Sequence, residues 1–322
     1  MKTEKAKLDA EELNLIKLAQ EYSDEDKARE LLEALRWPNG VTCPHCRRAK
    51  TECKDVYRLA PKPTSKSPGR KGLFCCAACR KQFSVTVGTV FEGSHIPISK
   101  WLMAMFIVCS SKKSISALQL HRMLGMTYKS AWFMAHRIRF AMTPNHWAEP
   151  KLSGTVEVDE TFVGGKGDRK TRYERQTPVV ALIERDGKAR VKVVASVTQK
   201  NLKACLNECV DKGATINSDT SGASHGTVKT YKAHHQVNHS AKEYVLKMPS
   251  GDLAHVNTCE SFFSLLKRGV YGAWHHVSRE HLPKYANEFA FRWNNRKVSD
   301  GERMESFVPM AEGKRLTYRK ML

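Results

Sequence analysis

The stretch VEVDETFVGG, residues 156–165, is the most strand-like segment of the sequence, although the adjacent carboxylates Asp159 and Glu160 interrupt its apolar residues. A carboxylate buried in mid-strand is costly unless it is paired or bound to a metal. Since successive side chains of a strand point to opposite faces, Glu160 is expected on the face opposite Asp159, as a supporting or surface residue. The stretch therefore predicts a buried strand in which Asp159 has a specific partner.

Strand and helix signals follow this stretch in a recognisable order. Two further strand candidates, PVVALIERDG and ARVKVVASVT, are separated by the turn residues Asp186 and Gly187. A helix, KNLKACLNECVDKG, and a fourth strand, ATINSD, come next, and more helices follow. The order β-β-β-α-β, then helices, predicts a mixed α/β domain over residues 151–300.

Composition points to a polyanionic partner. The chain has 322 residues, with 54 Lys and Arg against 33 Asp and Glu, a net charge of +21 at pH 7. Nucleic acid is the commonest partner of such a chain, and a merely well-solvated basic surface is the alternative. No apolar run approaches the ~20 residues of a membrane helix, and the charged N-terminus has no signal-peptide pattern. We therefore expect an intracellular protein that does not enter membranes.

Three segments precede the strand-rich domain. Residues 1–40 have apolar residues at helical spacing and predict an N-terminal helical segment. Residues 41–92 are rich in Cys, Gly, Pro and Lys without that spacing, and residues 93–150 return to it as three helices. The chain is thus expected to be a multidomain α+β protein, and residues 301–322 are expected to form a C-terminal tail.

Residues 41–92 contain two C-x2-C motifs, CPHC and CCAAC. Each motif offers two thiolates, and two such motifs supply the four ligands of a tetrahedral Zn²⁺. Cysteines of an intracellular protein also favour metal binding over disulfides. The predicted zinc ligands are Cys43, Cys46, Cys76 and Cys79. Two alternatives stay open, namely Cys75 in place of Cys76 and participation of Cys53.

The helices of residues 93–150 include a helix-turn-helix-like pair. The segment SISALQLHRMLGMTYKSAWFMAHRIR has Gly125 at the turn, Lys129 early in the second helix, and Arg137 and Arg139 near its end. DNA readers of this type insert the start of the second helix into the major groove. The three basic residues are therefore predicted to contact DNA, and the alternative is an ordinary helical hairpin.

Three acids stand where carboxylates from different elements could meet. Asp159 lies mid-strand, Asp219 ends the fourth strand, and Glu260 starts a helix. Such acids can hold two divalent cations, which stabilise the attacking and leaving oxygens of a phosphoryl displacement. Mg²⁺ favours carboxylate oxygen, and Lys267, two turns after Glu260, can help to hold a phosphate. Singly, Asp219 and Glu260 also fit a turn and a helix start, which leaves Asp159 as the strongest indication of a site.

These residues carry a resemblance to a known family. The motifs VEVDETFVGGK, NSD and HVNTCESFFSLLKRGVYGAWHHVSREHLPKYANEFAFRWNNR, with the ribbon ending CRKQFSVTVGTVFEGSHIPISKW, are similar to those of bacterial insertion-sequence transposases. Specifically, they resemble the zinc-ribbon DDE group related to the eukaryotic Merlin transposons, over roughly residues 40–300. The resemblance implies a ribonuclease-H-like α/β catalytic domain, with Asp159 and Asp219 as its first two catalytic acids.

The third catalytic position has two candidates. The resemblance matches Glu260, with Lys267 as the trailing base, to the third acid, but some members of the group have Asn there. Asn257 lies three residues before Glu260, on the same helical face. Glu260 is the better Mg²⁺ ligand because it is charged. Lys267 and Arg268 are also expected to contact DNA.

The resemblance also implies the reaction and its partners. It predicts metal-dependent cleavage and strand transfer, with Mg²⁺ or Mn²⁺ at the acids and zinc at the ribbon. The partner is double-stranded DNA, both at the inverted repeats that end the element and at the target. A homo-oligomer on DNA and a cytoplasmic, nucleoid-associated address in a bacterium are expected by analogy. The alternatives are a zinc-ribbon DNA-binding protein whose catalytic domain is a relic, and a nuclease that cuts without joining.

Overall fold

The chain divides into two compact units. A computed structural model describes residues 13–53, 55–60, 71–144, 149–165, 172–220, 230–238, 241, 245–248, 251 and 253–318. The first unit comprises Met1–Met142 together with Val298–Leu322, and the second comprises Thr143–Lys297. Among the described residues, no helix is both long and apolar enough to cross a bilayer.

Short elements dominate the N-terminal half, and a larger sheet follows. The elements before the second unit are α1 (Leu15–Glu21), α2 (Glu25–Arg36), α3 (Pro44–Ala49), β1 (Val56–Arg58), β2 (Phe74–Cys76), β3 (Gln82–Phe83), α4 (Ile98–Ser110), α5 (Ala117–Leu124) and α6 (Tyr128–Ala141). The second unit contains β4 (Thr155–Gly164), α7 (Arg172–Arg175), β5 (Gln176–Glu184), β6 (Ala189–Val193), α8 (Gln199–Cys209), β7 (Thr215–Asp219), β8 (Ala233–Val237), β9 (Leu246–Lys247), β10 (Leu253–Ala254), α9 (Asn257–Gly269), a π-helical turn (Val270–Trp274) and α10 (Leu282–Asn294). Helix α11 (Asp300–Met310) returns to the first unit.

Helix α4 forms the core of the first unit. It is apolar nearly all round, as expected of a buried helix, and it packs against α1, α2, α5, α6 and α11. Strands β1, β2 and β3 form a small antiparallel sheet in the same unit. The three helices predicted within residues 93–150 are α4, α5 and α6.

The C-terminal residues differ from the predicted tail. Helix α11 packs against α4 and α2 and buries Met304 and Phe307 completely. After α11, Glu312 forms an ion pair with the buried Arg36 at 3.1 Å. The prediction of a tail over residues 301–322 is therefore wrong for α11, because its apolar face supplies part of the core of the first unit.

A tight turn joins α5 to α6. Ser116 caps α5 by accepting from the N–H of Gln119, and Thr127 caps α6 by accepting from the N–H of Ser130. Gly125 ends α5 with φ of 56°, a left-handed conformation that glycine adopts without steric cost. The pair therefore has the connection that the sequence predicts.

The second unit is built on a five-stranded mixed sheet. The strand order is β6-β5-β4-β7-β8, with β4 in the centre. Strand β4 pairs antiparallel with β5 and parallel with β7, and β8 continues the parallel part. This arrangement agrees with the predicted order β-β-β-α-β and adds one strand to it.

Alternation along the strands gives the sheet two buried faces. On one face, Val156 and Val158 of β4 join the apolar residues of α8 in one core. On the other face, Val163 of β4 joins apolar residues of α9 and α10 in a second core. Since side chains of a strand alternate, Glu157 and Asp159 point to the face that α9 and α10 cover.

Candidate functional site

The four predicted cysteines meet in the first unit. Cys43 caps the start of α3 and Cys46 lies in its first turn, while Cys76 ends β2 and Cys79 lies in the turn that follows. Their sulfur atoms all lie within 4.8 Å of one another, with 3.6 Å between Cys43 and Cys79. Four convergent thiols from two C-x2-C motifs form the ligand set of a tetrahedral metal site.

The structure also distinguishes the alternative cysteines. Cys75 is adjacent to Cys76 on β2, so its side chain points to the other face of the strand. The sulfur of Cys53 accepts a hydrogen bond from the N–H of Cys43 at 3.4 Å. The backbone N–H groups of Cys79 and Ala78 lower the pKa of Cys76 to about 6, whereas burial raises the pKa of Cys46 to about 12. A bound cation would favour the thiolate form of both cysteines.

Three carboxylates meet at the end of the central parallel strands. Pairing of β4 with β7 runs to Val158 and Ser218, one residue before Asp159 and Asp219. Oxygen atoms of Asp159, Glu160 and Asp219 lie within 4.8 Å of one another. Two neighbouring parallel strands therefore present acids at the same end of the sheet, where open α/β sheets bind their ligands.

Glu160 was not expected in this cluster. Alternation along β4 puts its side chain on the face opposite Asp159, yet both carboxylates reach Asp219 because the β4–β7 pairing ends just before them. The prediction that Glu160 is a surface or supporting residue is therefore wrong, because its carboxylate belongs to the acidic cluster. The sequence does indicate this arrangement, because two adjacent acids at the end of a strand pairing can both turn their side chains towards a third acid on the neighbouring strand.

Burial makes Asp159 and Glu160 hard to ionise without a counter-charge. Burial, together with the negative charges of Asp219, Glu160 and Glu260, raises the pKa of Asp159 to about 7. Burial and the charge of Asp219 likewise raise the pKa of Glu160 to about 7. A divalent cation among the three groups would favour their charged forms, and hard oxygen donors suit Mg²⁺ or Mn²⁺. The residues present thus fit a divalent metal site.

Helix α9 carries the other predicted site residues on its exposed side. Asn257, Glu260 and Arg268 line an open groove along this helix, and Lys267 is exposed in its last turn. Glu260 does not belong to the group of Asp159, Glu160 and Asp219, whose oxygen atoms lie within 4.8 Å of one another. Its negative charge nevertheless raises the pKa of Asp159. The helix therefore brings the charge of Glu260 within electrostatic range of the cluster.

The sequence analysis missed a further acid, Glu157. It lies in mid-strand between Val156 and Val158, like Asp159, and its side chain is fully buried. Its carboxylate accepts hydrogen bonds from the backbone of Thr258 and Cys259 in the first turn of α9. Glu157 is, like Asp159, an acid beside apolar residues in mid-strand, so the same sequence pattern marks both.

Two of the predicted DNA contacts need correction. Arg137 is 3% exposed and donates to the carbonyl of Glu92, and Arg139 is 1% exposed and donates to the carbonyl of Ile115 at 3.0 Å. Buried guanidinium groups cannot reach DNA, so both arginines stabilise the first unit instead. Lys129 is exposed at the start of α6, and its ammonium lies 4.7 Å from the centre of the Tyr318 ring.

Comparison with known proteins agrees with the motifs. Residues 151–294 match the family model of the ISXO2-like transposase domain, and residues 23–82 match that of a transposase zinc-ribbon domain. The chain is 28% identical over 293 residues to an uncharacterized protein in transposable element ISH50 of Halobacterium salinarum. That alignment covers 84% of this chain and 91% of the relative.

One solved structure is also similar, at a low level. It is the cryo-EM structure of a simian T-cell lymphotropic virus intasome in complex with PP2A regulatory subunit B56 gamma. The identity is 13% and the TM-score 0.28, over 58% of this chain and 64% of that one, and so low a score supports no argument. The family matches confirm the resemblance found in the sequence. The chain carries a transposase zinc-ribbon domain and an ISXO2-like transposase domain.

Proposed function

We propose that the protein is a DNA transposase that binds the terminal inverted repeats of its element, cuts them and joins them to target DNA. The observation that carries the proposal is the meeting of Asp159, Glu160 and Asp219 at the end of two parallel strands, inside a matched transposase domain. Its partner is double-stranded DNA, and a net charge of +21 supports this.

The catalytic domain is proposed to be ribonuclease-H-like. Three antiparallel strands followed by two parallel ones, with helices on both faces, support this assignment. Residues 151–300 would form this domain, after the helical segment 1–40, the zinc ribbon 41–92 and the DNA-binding helices 93–150. The C-terminal residues would complete the first unit rather than form a separate part.

The chemistry follows from the residues at the sheet end. Asp159 and Asp219 would hold Mg²⁺ or Mn²⁺, with Glu260 as the third acid and Asn257 as its alternative. When bound, such cations supply Lewis-acid stabilisation of the attacking and leaving oxygens of a phosphodiester. Lys267 and Arg268 would contact DNA phosphates on the exposed side of α9, and Lys129 would contact DNA at the start of α6.

We also propose a zinc site in the ribbon, a homo-oligomeric assembly and a location in the cell. Cys43, Cys46, Cys76 and Cys79 would bind Zn²⁺, which would hold the two C-x2-C turns together. Two element ends have to be joined in one reaction, so we propose a homo-oligomer on DNA. A cytoplasmic protein associated with the nucleoid follows from the proposed substrate.

Purified protein incubated with Mg²⁺, duplexes that carry the element end, and a target plasmid tests the proposal. The expected result is cleavage at the element end followed by covalent joining to the target. Cleavage without joined products would favour the nuclease alternative. Specific binding of the element end with neither product would favour a DNA-binding protein with a relic catalytic domain.

A further inference from the structure

Glu157 takes the place of a missing helix cap. The residue before α9, Val256, provides no side-chain cap. Glu157 Oε2 instead accepts from the backbone N–H groups of Thr258 (2.8 Å) and Cys259 (3.3 Å), and Oε1 accepts from the Thr258 hydroxyl (2.7 Å). A negative charge at a helix N-terminus is also favoured by the helix dipole. An acid of the central strand thus holds the first turn of α9.

A second set of contacts involves the same carboxylate. Arg185 Nη2 donates to Glu157 Oε1 at 3.2 Å, and Arg185 Nη1 donates to the carbonyl of Leu253, shortly before α9. His255 Nδ1 lies 3.1 Å from the same oxygen. A carboxylate only accepts, whereas the amide of a glutamine would turn an NH₂ group towards these donors. The arrangement therefore favours a carboxylate over an amide at this position.

The position of Glu157 links it to the acidic cluster. It precedes Asp159 by two residues on β4, so the two side chains point to the same face. Glu260 follows Cys259 directly in the first turn of α9. Any movement of this turn relative to β4 therefore changes the separation of Glu260 from Asp159.

We propose that Glu157 is a positioning residue that fixes Glu260 relative to Asp159, and thereby sets the geometry in which the acids bind divalent cations. The inference rests on the proposed function, because it assigns Glu260 to the same metal-binding site. Mg²⁺ requires near-ideal octahedral geometry, so a small displacement of one ligand weakens its binding. Residues that orient metal ligands typically contribute about 10- to 100-fold to metal affinity or activity.

Glu157→Gln in the full-length protein tests the proposal, because it preserves the shape and removes the charge. We expect the Mg²⁺ concentration for half-maximal cleavage to rise about tenfold, and the calorimetric affinity for Mn²⁺ to fall equally. Hydrogen exchange of the first turn of α9 should become faster. Affinity for the element end without metal should remain within about twofold, because no DNA contact is removed.

Two further variants separate positioning from stability. Glu288 is also fully buried and pairs with Arg292 at 2.5 Å on α10, so Glu288→Gln should lower the unfolding temperature without changing Mn²⁺ affinity. Thr258→Val removes the hydroxyl bond and leaves both backbone bonds to Glu157. It should weaken Mn²⁺ binding by about two- to threefold, and it keeps the test available if Glu157→Gln does not fold.

The outcomes distinguish this proposal from the proposed function. If the wild type binds Mn²⁺ but cleaves no DNA, the transposase proposal fails, while the calorimetry still tests Glu157. If Glu157→Gln or Thr258→Val binds Mn²⁺ as tightly as the wild type, with unchanged exchange in α9, the positioning role is overturned. Equal loss of Mn²⁺ affinity in Glu288→Gln would overturn it too, because the effect would then reflect general destabilisation.

Discussion

Asp159 and Asp219 occupy equivalent places on neighbouring parallel strands, each one residue beyond the last β4–β7 pair, Val158 and Ser218. Their carboxylates, with that of Glu160, lie within 4.8 Å of one another. Like charges this close are unfavourable unless a cation or protons compensate them. The relationship explains why a protein with a net charge of +21 keeps acids at the centre of its sheet.

The metal-free protein should lose stability as the pH rises. The pKa values of Asp159 and Glu160 are raised to about 7 in the fold, so the folded state binds more protons than the unfolded state between about pH 4 and 7. Stability from these groups is therefore present at low pH and lost as the pH rises through about 7. Thermal unfolding from pH 5 to 8 measures this effect, and Mg²⁺ should raise the unfolding temperature most at pH 8.

A matched variant isolates that effect from other titrating groups. Glu160→Gln removes one of the two carboxylates and should flatten the pH dependence relative to the wild type. An identical slope in both proteins would show that Glu160 does not titrate as the structure indicates.

Substitution of a predicted zinc ligand should release the metal, whereas substitution of the adjacent cysteine should not. Cys76→Ser should release about one equivalent of zinc, because serine is a poor ligand in a four-thiolate site. Cys75→Ser should keep the metal, since Cys75 points away from the cluster. Elemental analysis of the purified proteins measures both. Zinc loss in Cys75→Ser with retention in Cys76→Ser would reverse the assignment.

The two candidates for the third acid should not be equivalent. The charge of Glu260 acts on Asp159, so Glu260→Gln should reduce strand cleavage by at least about a hundredfold, as expected for a metal ligand. Asn257→Ala should cost less than about tenfold, because Asn257 contributes no charge. Single-turnover cleavage in Mg²⁺ compares them. A larger loss for Asn257→Ala would make Asn257 the ligand.

The basic residues of α6 should separate into DNA contact and structural support. Lys129→Ala should weaken DNA binding without lowering the unfolding temperature. The slope of log affinity against log salt concentration should fall by about one, because one fewer counterion is released on binding. Arg139→Ala should instead destabilise the protein by about 1–3 kcal/mol, because the Ile115 carbonyl loses its donor. Affinity titrations at several salt concentrations and thermal unfolding measure both. Unchanged stability in Arg139→Ala would contradict the structural role.

Sequence patterns predicted what depends on local periodicity and spacing. The order of strands and helices along the second unit and the helices α4 to α6 follow from periodicity, and the four clustered cysteines follow from the C-x2-C motifs. Each helix, strand or C-x2-C motif can be recognised from residues that are close together in the sequence. Asp159 was predicted as an acid between apolar residues in mid-strand, and Asp219 as an acid at the end of a strand.

Features that depend on distant contacts escaped the sequence analysis. Arg139 is predicted to contact DNA because its charge alone does not reveal that the second half of α6 is buried. Glu160 is left out of the predicted acidic cluster because the end of the β4–β7 pairing cannot be inferred from the sequence of β4 alone. Glu157 was missed because its partners, Thr258 and Cys259, lie about a hundred residues further along the chain.

The most direct test of the account is strand transfer by the wild type beside Asp159→Asn, with element-end duplexes, a target plasmid and Mg²⁺. The wild type should cut the element end and join it to the target. Asp159→Asn should bind the same duplex with similar affinity and yield neither product, because the charged metal ligand is gone. Full strand transfer by Asp159→Asn would contradict the account, since the acidic cluster would then not be the catalytic site.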